Sequence, residues 1–402
     1  MPHIASRHAS VTCGPYDPLV TPPVVLAYFG DDPARTYQLV QWLPVLETLH
    51  PHAPVAVVTR DPGSADVLRI RTPLPVLLAE SFNDVTALYG ELDARVVLYC
   101  NNSRLNFDSL LDARLLHVHV GHGESDKQSM ASNNAKAYDR VLVAGEAAVQ
   151  RHATGLLAFD TDRLVRIGRP QLDLRPAPLL EPTERRTVLY APTWEGDADY
   201  NDYTSLDRMG AAIVRALLAV PDVRVVYKPH PRIATSRTPS VVAAHREVLR
   251  LLGDAVRREP AAGHRSVAAG DILAIMGDCD AMVTDVSAVG LDWLYLRTDR
   301  PIFLTDKHDD PERLRHDAPV SRCADVVDGA SLANLTALVT SRLEHDEHHL
   351  ARVAMRRHYF DDVAVGESTA RFVETVVELV ALRDRLLAEQ GLGPAVDGAI
   401  TA

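Results

Sequence analysis

A histidine between two glycines is the residue of this sequence best suited to acid–base chemistry. His122 follows an apolar run, and Gly121 and Gly123 leave its imidazole open to close approach by a substrate. Histidine titrates near neutral pH, so His122 is a candidate general base that Glu124 or Asp126 can orient. A solvent-facing histidine in a turn is the competing interpretation.

A second histidine lies in the short basic segment Lys228-Pro229-His230-Pro231-Arg232, which follows the apolar run Val225–Tyr227. The prolines fix the backbone and thereby the direction of the imidazole. Together, Lys228, His230 and Arg232 can neutralise a diphosphate, whose charge has to be screened before one of its bonds breaks. A solvated basic surface is the alternative.

A strand-to-helix turn provides a candidate seat for a phosphate. Thr284, Asp285 and Ser287 follow the apolar residues 281–283 and precede an apolar, helix-like run. The unpaired N–H groups at a helix N-terminus and the helix dipole both favour an anion. An ordinary N-cap by Asp285 or Ser287 is the alternative.

Three further hydroxyl residues complete the candidate set. Thr193 precedes Trp194 in a loop after an apolar run, where its hydroxyl can bond a phosphate or simply form a turn. Ser368 and Thr369 begin a long amphipathic segment and offer a second helix N-terminus for phosphate or ribose, or an ordinary cap. Residues 345–349 resemble metal ligands, but their polar helical context favours a solvated surface. We therefore predict no metal site and no cofactor, and Mg²⁺ is not indicated.

Alternating strands and helices must position these candidates. Apolar, β-branched runs such as Val55–Thr59, Val223–Tyr227 and Ala255–Arg257 predict strands, and the segments between them have helical periodicity. Such alternation predicts βαβ units and parallel sheets, and the segment Ser368–Glu389 is typical of a long amphipathic helix.

The proline-rich stretch from Pro170 to Pro182 is the best linker candidate. It divides the sequence into two halves that both alternate strands and helices. We therefore predict an α/β protein with two Rossmann-like domains facing a cleft, an N-terminal domain at residues 1–175 and a C-terminal domain at residues 176–402. The last helix is allowed to pack back on the first domain. Ligands of such sheets lie beyond the carboxyl ends of the strands.

Composition narrows the function classes. A net charge of −12 argues against a general nucleic-acid binder. The four cysteines form no CxxC pair, which suits a reducing compartment without structural zinc. No apolar run approaches the roughly 18 residues that span a bilayer, and the N-terminus lacks the apolar core of a signal peptide. These features predict a cytoplasmic protein, and peripheral contact with the inner face of the cell membrane is compatible with them.

The basic residues carry one more signal, because almost all of them are arginine. The lysines are Lys127, Lys136, Lys228 and Lys307. Three of these four lie in or beside the candidate segments, so we expect the retained lysines to have specific roles. The dinucleotide, ATPase and hydrolase signatures GxGxxG, GxxxxGK[ST] and GxSxG are missing, which disfavours those classes.

Taken in order, the motifs between Leu115 and Arg371 resemble the CDP-glycerol glycerophosphotransferase family, the teichoic-acid primases and polymerases. Each motif is short, but their shared order is specific. The matching segments are His122-Gly123, Tyr138-Asp139 before Arg140–Val143, Gly168-Arg169-Pro170-Gln171-Leu172-Asp173, Tyr190–Trp194, Lys228–Pro231, Asp271–Ile275, Thr284–Ser287 and Arg300–Ile302.

The resemblance implies a glycosyltransferase-B fold and transfer of glycerol phosphate, or a similar polyol phosphate, from a CDP-activated donor to an acceptor hydroxyl, with release of CMP. It also implies that residues 1–175 form the acceptor-side domain and residues 176–402 the nucleotide-donor domain. The product would be a teichoic-acid, cell-wall or capsular polymer of the bacterial cell envelope, and the acceptor a polymer or a lipid-linked molecule. The resemblance implies His122 as the catalytic base and His230 as a second catalytic or diphosphate-binding histidine. The expected donor-binding residues are Thr193, Lys228, Arg232, Thr284, Asp285, Ser287, Ser368 and Thr369.

The sequence departs from the family pattern after His122. Family members commonly continue Gly-Thr-Pro-Leu-Lys, whereas this chain has Gly123 followed by Glu124, Ser125, Asp126 and Lys127. We assign the three charged residues to the acceptor side, where the departure bears on acceptor identity. A nucleotide-sugar glycosyltransferase or UDP-sugar 2-epimerase of the same fold, and a non-catalytic nucleotide-binding protein, are the alternatives.

Overall fold

The computed structural model describes residues 22–196 and 198–392. The chain forms two compact units. Unit 1 comprises the described residues of Met1–His122, Ser132–Leu174 and Gly366–Ala402, and unit 2 comprises those of Gly123–Ala131 and Arg175–Val365.

Unit 1 is built on a seven-stranded sheet of order β3-β2-β1-β4-β5-β6-β7, in which all neighbouring strands are parallel. Its strands are β1 Val25–Phe29, β2 Val55–Thr59, β3 Val76–Leu78, β4 Val96–Tyr99, β5 Leu116–His119, β6 Arg140–Val143 and β7 Leu164–Arg166. The central strands β1, β2 and β4 are buried along their whole length, as expected for a parallel sheet covered on both faces.

Unit 2 is built on a six-stranded parallel sheet of order β10-β9-β8-β11-β12-β13. Its strands are β8 Arg186–Ala191, β9 Val223–Tyr227, β10 Arg265–Ser266, β11 Ala281–Thr284, β12 Ile302–Thr305 and β13 Asp325–Val327. The strand order reverses between β8 and β11, and ligands of open parallel sheets bind outside the carboxyl ends of the strands at such a point. A ligand site of unit 2 is therefore expected at the loops after β8, β9, β11 and β12.

The α-helices cover these sheets. In chain order they are α1 Tyr37–Val40, α2 Leu43–Leu49, α3 Pro62–Arg69, α4 Phe82–Glu91, α5 Glu146–Gly155, α6 Pro170–Asp173, α7 Ala211–Leu218, α8 Pro239–Arg258, α9 Leu273–Met276, α10 Ala288–Leu296, α11 Pro311–Asp317, α12 Leu335–Glu344, α13 His349–Phe360 and α14 Ser368–Glu389. Within the part of the chain that the structure describes, no helix is both long enough and apolar enough to cross a membrane.

Helix α14 returns to unit 1 and completes its core. Phe372, Val376 and Leu379 recur at four- and three-residue spacing on one face of the helix, and all three belong to the buried cluster of unit 1. The Phe372 ring lies 5.2 Å from the ring of Trp42. Burying side chains of this size stabilises a fold by roughly 1.5–3 kcal/mol each, which explains why the chain returns.

One strand prediction is wrong. Ala255–Arg257 lies within the last turn of α8, because Val248, Leu252 and Ala255 are buried at four- and three-residue spacing on one helix face. The strand beside β9 is β10, which has only two residues and therefore no visible periodicity. The predicted linker begins with the short helix α6, where Pro170 occupies the first turn and needs no hydrogen bond from its nitrogen.

The cysteines fit a chain without disulfides in the described region. Cys100, Cys279 and Cys323 are buried and unpaired. Cys13 lies outside the described residues. Burial raises the pKa of the Cys279 and Cys323 thiols to about 12, so both are protonated and unreactive at neutral pH.

Candidate functional site

Asp285 holds together the loops at the carboxyl edge of the unit 2 sheet. It follows β11 and is fully buried. One carboxylate oxygen accepts the backbone N–H of Thr193 at 2.7 Å, and the other accepts the hydroxyl of Thr305. Burial raises the pKa of this carboxyl, and hydrogen bonds from Ser205, Thr305 and Thr193 oppose the rise. Asp285 therefore positions the loops after β8 and β12, a role that its place in the sequence does not reveal.

Thr193 is fixed on three sides in the loop after β8. Its N–H donates to Asp285, its carbonyl accepts the hydroxyl of Thr204 at 2.8 Å, and its own hydroxyl accepts Lys127 Nζ at 3.3 Å. Thr284, at the end of β11, donates its hydroxyl to the carbonyl of Ala191 at 2.8 Å and is fully buried. The Thr284 hydroxyl thus joins β11 to β8, whereas the Thr193 hydroxyl lies beside a cation.

Lys127 brings a desolvated positive charge to this edge. The residue is only 8% exposed, and its ammonium lies 5.8 Å from the centre of the Tyr203 ring. Burial lowers the pKa of the Lys127 amine to about 8, and the carboxylates of Asp285 and Asp202 limit the fall. A cation removed from water interacts strongly with an anionic ligand.

The segment around Lys127 lies against the start of helix α10. A Cβ atom on Gly123 would come within 2.9 Å of the Cβ atom of Ala288, so a side chain at position 123 would have to displace this contact. Ser287 is the N-cap of α10, but its hydroxyl makes no capping hydrogen bond to the helix. The first N–H groups of α10 are therefore not satisfied by the cap, and such groups bind anions.

His230 has a defined ring orientation. It follows β9 and precedes the short 3-10 turn Pro231–Thr235, and its Nδ1 accepts the backbone N–H of Arg232 at 3.1 Å. Because Nδ1 is an acceptor, the neutral imidazole carries its proton on Nε2. The His230 backbone N–H donates to the carbonyl of Pro192 at 3.2 Å, which ties this loop to the one after β8. The neutral ring is thus an N–H donor, suited to a phosphate oxygen.

Arg232 is held in place by an aromatic ring. Its guanidinium lies 3.6 Å from the centre of the Trp194 ring, in cation–π contact. The Trp194 ring is also 6.2 Å from the ring of His230. Trp194 therefore orders two of the predicted donor-binding groups.

Lys228 is the most buried cation of the basic segment. It is only 5% exposed, and its backbone N–H donates to the carbonyl of Tyr190 at 2.9 Å. Burial lowers the pKa of its amine, and the nearby Asp271 carboxylate opposes the fall. Within residues 22–196 and 198–392, the Lys228 ammonium forms no hydrogen bond and no ion pair.

His122 lies in unit 1, at the end of the loop after β5. The Tyr37 ring meets its imidazole edge-on, with ring centres 6.3 Å apart. The preceding Gly121 has a φ of 61°, a left-handed conformation that favours glycine, and its carbonyl accepts Trp42 Nε1 at 2.6 Å. The Gly-His motif thus has a fixed backbone, as a positioned base requires.

The structure places Ser368 and Thr369 in unit 1, where the protein itself uses their polar groups. The Ser368 hydroxyl accepts the backbone N–H of Arg169 at 3.0 Å. The Asp173 carboxylate accepts the N–H groups of Gly366 at 2.7 Å and Thr369 at 2.6 Å. A carboxylate of the chain thereby caps the start of α14, and the Gly-x-Pro-x-x-Asp motif anchors this helix.

Two of the predicted acceptor-side residues, Glu124 and Asp126, are buried in unit 2 beside Lys127. Asp126 accepts the hydroxyl of Tyr359 from α13. Lys307 stood out in the sequence only because lysine is rare in this chain. In the structure it forms an ion pair with Asp202 at 2.7 Å. Asp202 and Tyr203 belong to the long loop after β8, for which the sequence offered no signal.

The acidic residues of the histidine-rich segment between α12 and α13 form ion pairs. Asp346 pairs with Arg352, and Glu347 pairs with Arg342 at 3.1 Å. In the described chain, no group of three or more histidine, cysteine, aspartate or glutamate side chains is arranged to hold a metal ion.

Two parallel sheets covered by helices, with polar loops at their carboxyl edges, define an α/β protein of the glycosyltransferase-B type. A provisionally assigned UDP-N-acetylglucosamine 2-epimerase from Listeria monocytogenes is similar with a TM-score of 0.59 and 14% identity, over 90% of this chain and 98% of its own. The wall teichoic acid polymerase TagF, soaked with CDPG, is similar with a TM-score of 0.55 and 13% identity, over 90% of each chain. A UDP-GlcNAc 2-epimerase from Neisseria meningitidis, bound to UDP-GlcNAc, has a TM-score of 0.57 and 13% identity, over 88% of this chain and 99% of its own.

The family is shown by the sequence itself. The profile of CDP-glycerol:poly(glycerophosphate) glycerophosphotransferases matches residues 117–378, well over half of the chain. The chain belongs to this family and is a transferase, either a glycerophosphotransferase or a related glycosyltransferase. No curated protein sequence is significantly similar to it. The family and the fold class predicted from the motifs are confirmed.

Proposed function

We propose that this protein transfers glycerol phosphate, or a similar polyol phosphate, from a CDP-activated donor to an acceptor hydroxyl and releases CMP. The observation that supports it best is the cluster of cations and helix N–H groups at the carboxyl edge of the unit 2 sheet. Lys127, His230, Arg232 and the start of α10 lie on loops that Asp285 and the backbone bonds of Thr193 and His230 hold together. Such a cluster suits a diphosphate whose charge grows on the leaving group.

The donor roles follow from the hydrogen-bonding capacity of each group. Lys127 and the Thr193 hydroxyl supply donors, the neutral His230 ring supplies an Nε2–H donor, and Arg232 supplies a permanent charge. The N–H groups after Ser287 bind a phosphate oxygen. Thr284 and Asp285 act indirectly, by holding the loops that carry these groups. Ser368 and Thr369 can bind the CDP-activated donor only if the Asp173 carboxylate releases the N–H groups at the start of α14.

The chemical step needs a base for the acceptor hydroxyl. We assign this role to His122, because histidine is the side chain that most often serves as a general base and the His122 loop is fixed by Trp42. The acceptor oxygen attacks the β-phosphorus while its proton passes to His122. The bond from the β-phosphorus to the bridging oxygen breaks, and CMP leaves with that oxygen.

The acceptor is proposed from the family. A polymer or lipid-linked acceptor places the reaction in teichoic-acid, cell-wall or capsule synthesis at the inner face of the cell membrane. Glu124 and Asp126 are the acidic residues by which this chain departs from its family, so we assign them to the choice of acceptor. Asp126 would act through Tyr359, whose hydroxyl donates a hydrogen bond to the Asp126 carboxylate.

A nucleotide-sugar reaction is the second candidate, because two of the similar structures are 2-epimerases, one bound to UDP-GlcNAc. A donor screen separates the two. The protein is incubated with CDP-glycerol, CDP-ribitol and UDP-sugars in the presence of a glycerol phosphate oligomer, and the released nucleotides are quantified. Release of CMP from a CDP-polyol supports the proposal. Turnover of UDP-sugars alone, with release of UDP or formation of an epimer, refutes it.

The base assignment has its own test with matched controls. His122→Ala should reduce CMP release by about 100-fold or more, the usual contribution of general base catalysis. His52→Ala changes an exposed histidine of the same unit and should leave the rate unchanged. Full activity in the His122→Ala protein would exclude this imidazole as the base.

A further inference from the structure

A buried lysine and a partly buried aspartate of opposite charge lie on neighbouring loops of unit 2 without forming an ion pair. Strands β9 and β10 are hydrogen-bonded neighbours, and the N–H of Val267 donates to the carbonyl of Tyr227 at 2.9 Å. Lys228 follows Tyr227, and Asp271 ends the loop that Val267 begins. Their interaction is close enough to affect the pKa of both groups, yet no ion pair within 4.0 Å joins them.

Each of the two side chains has unused hydrogen-bonding capacity. The Lys228 ammonium, on a residue 5% exposed, makes no hydrogen bond to any described residue. Asp271 uses Oδ1 to accept the backbone N–H of Leu273, the first residue of α9, at 3.0 Å, while Oδ2 has no partner among the described residues. Burial lowers the pKa of the lysine and raises that of the aspartate. A desolvated ammonium without a hydrogen-bond partner is costly, so a ligand that bonds Lys228 and uses the open Oδ2 of Asp271 is favoured.

The pair is poorly suited to a phosphate. An anion attracted by Lys228 would also meet the Asp271 carboxylate, and like charges repel at this range. A neutral ligand that offers a hydrogen-bond donor and an acceptor side by side fits both groups. The amino–imine edge of cytosine has this arrangement, with the N4 amino group as donor and N3 as acceptor.

We infer that Lys228 and Asp271 form the cytosine-recognition site of the donor nucleotide, in which Asp271 Oδ2 accepts the N4 amino group and Lys228 donates to N3. This inference rests on the proposed CDP-dependent function. It also predicts discrimination against uracil, because O4 of uracil would bring lone pairs against the carboxylate and N3–H would face the ammonium. A polar site that loses its bonds rejects the wrong ligand strongly, because its groups are then left buried and unpaired.

The loop is shaped to keep Asp271 in place. Gly270 has a φ of 94°, and a Cβ atom there would meet Leu179 Cδ1 at 2.6 Å. The Leu179 N–H donates to the carbonyl of Ala274 in α9 at 2.9 Å. Leu179 therefore packs closely against Gly270 and bonds to α9, which restricts the loop that carries Asp271.

The test is the binding of CDP and UDP to the full chain, measured by isothermal titration calorimetry. The unmodified protein should bind CDP at least tenfold more tightly than UDP. Asp271→Asn should weaken the binding of CDP and strengthen the binding of UDP, because an amide can turn its NH₂ group towards O4 of uracil. The ratio of the CDP affinity to the UDP affinity should fall by at least about tenfold. The amide oxygen of asparagine can still accept the Leu273 N–H, so the start of α9 should be retained. Asp310→Asn is the matched control, since Asp310 also accepts a backbone N–H at the start of a helix, that of Arg313 in α11, and this variant should keep the original ratio of CDP to UDP affinity.

Inorganic pyrophosphate separates base recognition from phosphate binding. Lys228→Met should weaken the binding of CDP by at least about tenfold and leave the affinity for pyrophosphate unchanged. A matching loss for pyrophosphate would assign the lysine to the diphosphate and overturn the inference. An unchanged CDP-to-UDP ratio in Asp271→Asn, or an equal loss of both nucleotides, would overturn it as well. If the unmodified protein has no preference for CDP, the proposed function itself fails.

Discussion

Lys127 Nζ donates to the hydroxyl of Thr193 at 3.3 Å, and this bond fixes the segment that follows His122 to the loop that follows β8. The two residues are far apart in the sequence and belong to different family motifs. Their contact places a desolvated amine beside the hydroxyl of Thr193, a residue whose backbone N–H is already held by Asp285. The stability and the pH response of this arrangement are both open to measurement.

Asp285→Ala should destabilise the protein by about 3 kcal/mol or more. The substitution leaves the Thr193 N–H and the Thr305 hydroxyl without their buried acceptor, and it opens a cavity. Urea unfolding measures the loss. Asp362→Ala is the matched control in the same unit, because Asp362 is 87% exposed in an ion pair of little energetic weight. An equal effect in both variants would mean that Asp285 does not hold the loops.

The stability contributed by Lys127 should depend on pH. Its folded-state pKa is about 8 and its unfolded value about 10.5, so between these values the unfolded chain binds more protons than the folded one. The contribution of this group to the free energy of unfolding therefore rises with pH across that window. The free energy of unfolding of Lys127→Met should exceed that of the unmodified protein by the largest amount below pH 8. Above pH 8 this difference should shrink by up to about 1.4 kcal/mol per pH unit.

Urea unfolding of both proteins at pH 7 and pH 10 checks this difference. Lys136→Met serves as the control, because Lys136 is exposed and its variant should show no such trend. A stability difference for Lys127→Met that is the same at both pH values would argue against a desolvated amine.

Trp194→Leu should raise KM for the nucleotide donor about 3- to 30-fold with a smaller change in kcat. Loss of the ring removes the cation–π contact that orders Arg232, which is worth about 0.5–2 kcal/mol. Trp194→Phe keeps an aromatic face and should recover part of the loss. Steady-state kinetics at varied donor concentration provide the measurement, and equal effects of leucine and phenylalanine would contradict an aromatic role.

Asp173→Ala should loosen the start of α14 and cost about 1–2 kcal/mol. The carboxylate accepts two N–H groups there, from Gly366 and Thr369. Hydrogen exchange should show faster exchange at the first turn of α14 and unchanged exchange in β2. Asp66→Ala, at an aspartate that is 79% exposed in the same unit, should leave α14 protected.

The sequence by itself determined the elements and the family. Runs such as Val55–Thr59, Arg140–Val143 and Ala281–Thr284 were predictable because β-branched, apolar residues of a buried parallel strand are a local signal. The helix Ser368–Glu389 was predictable from its periodicity. The order of short motifs was enough to identify a glycosyltransferase-B fold, since that order is a property of the chain and not of its packing.

Tertiary structure alone decided what each polar residue does. The sequence assigned Asp285 to the donor, whereas its carboxylate holds Thr193 and Thr305. It gave Asp271 no individual role, although this partly buried residue lies near Lys228 without forming an ion pair with it. The physical reason is that burial and hydrogen-bond partners come from loops that are distant in the chain and meet at one sheet edge. Local patterns specify strands and helices, but only packing determines which buried groups bond to each other and which keep bonding capacity for a ligand.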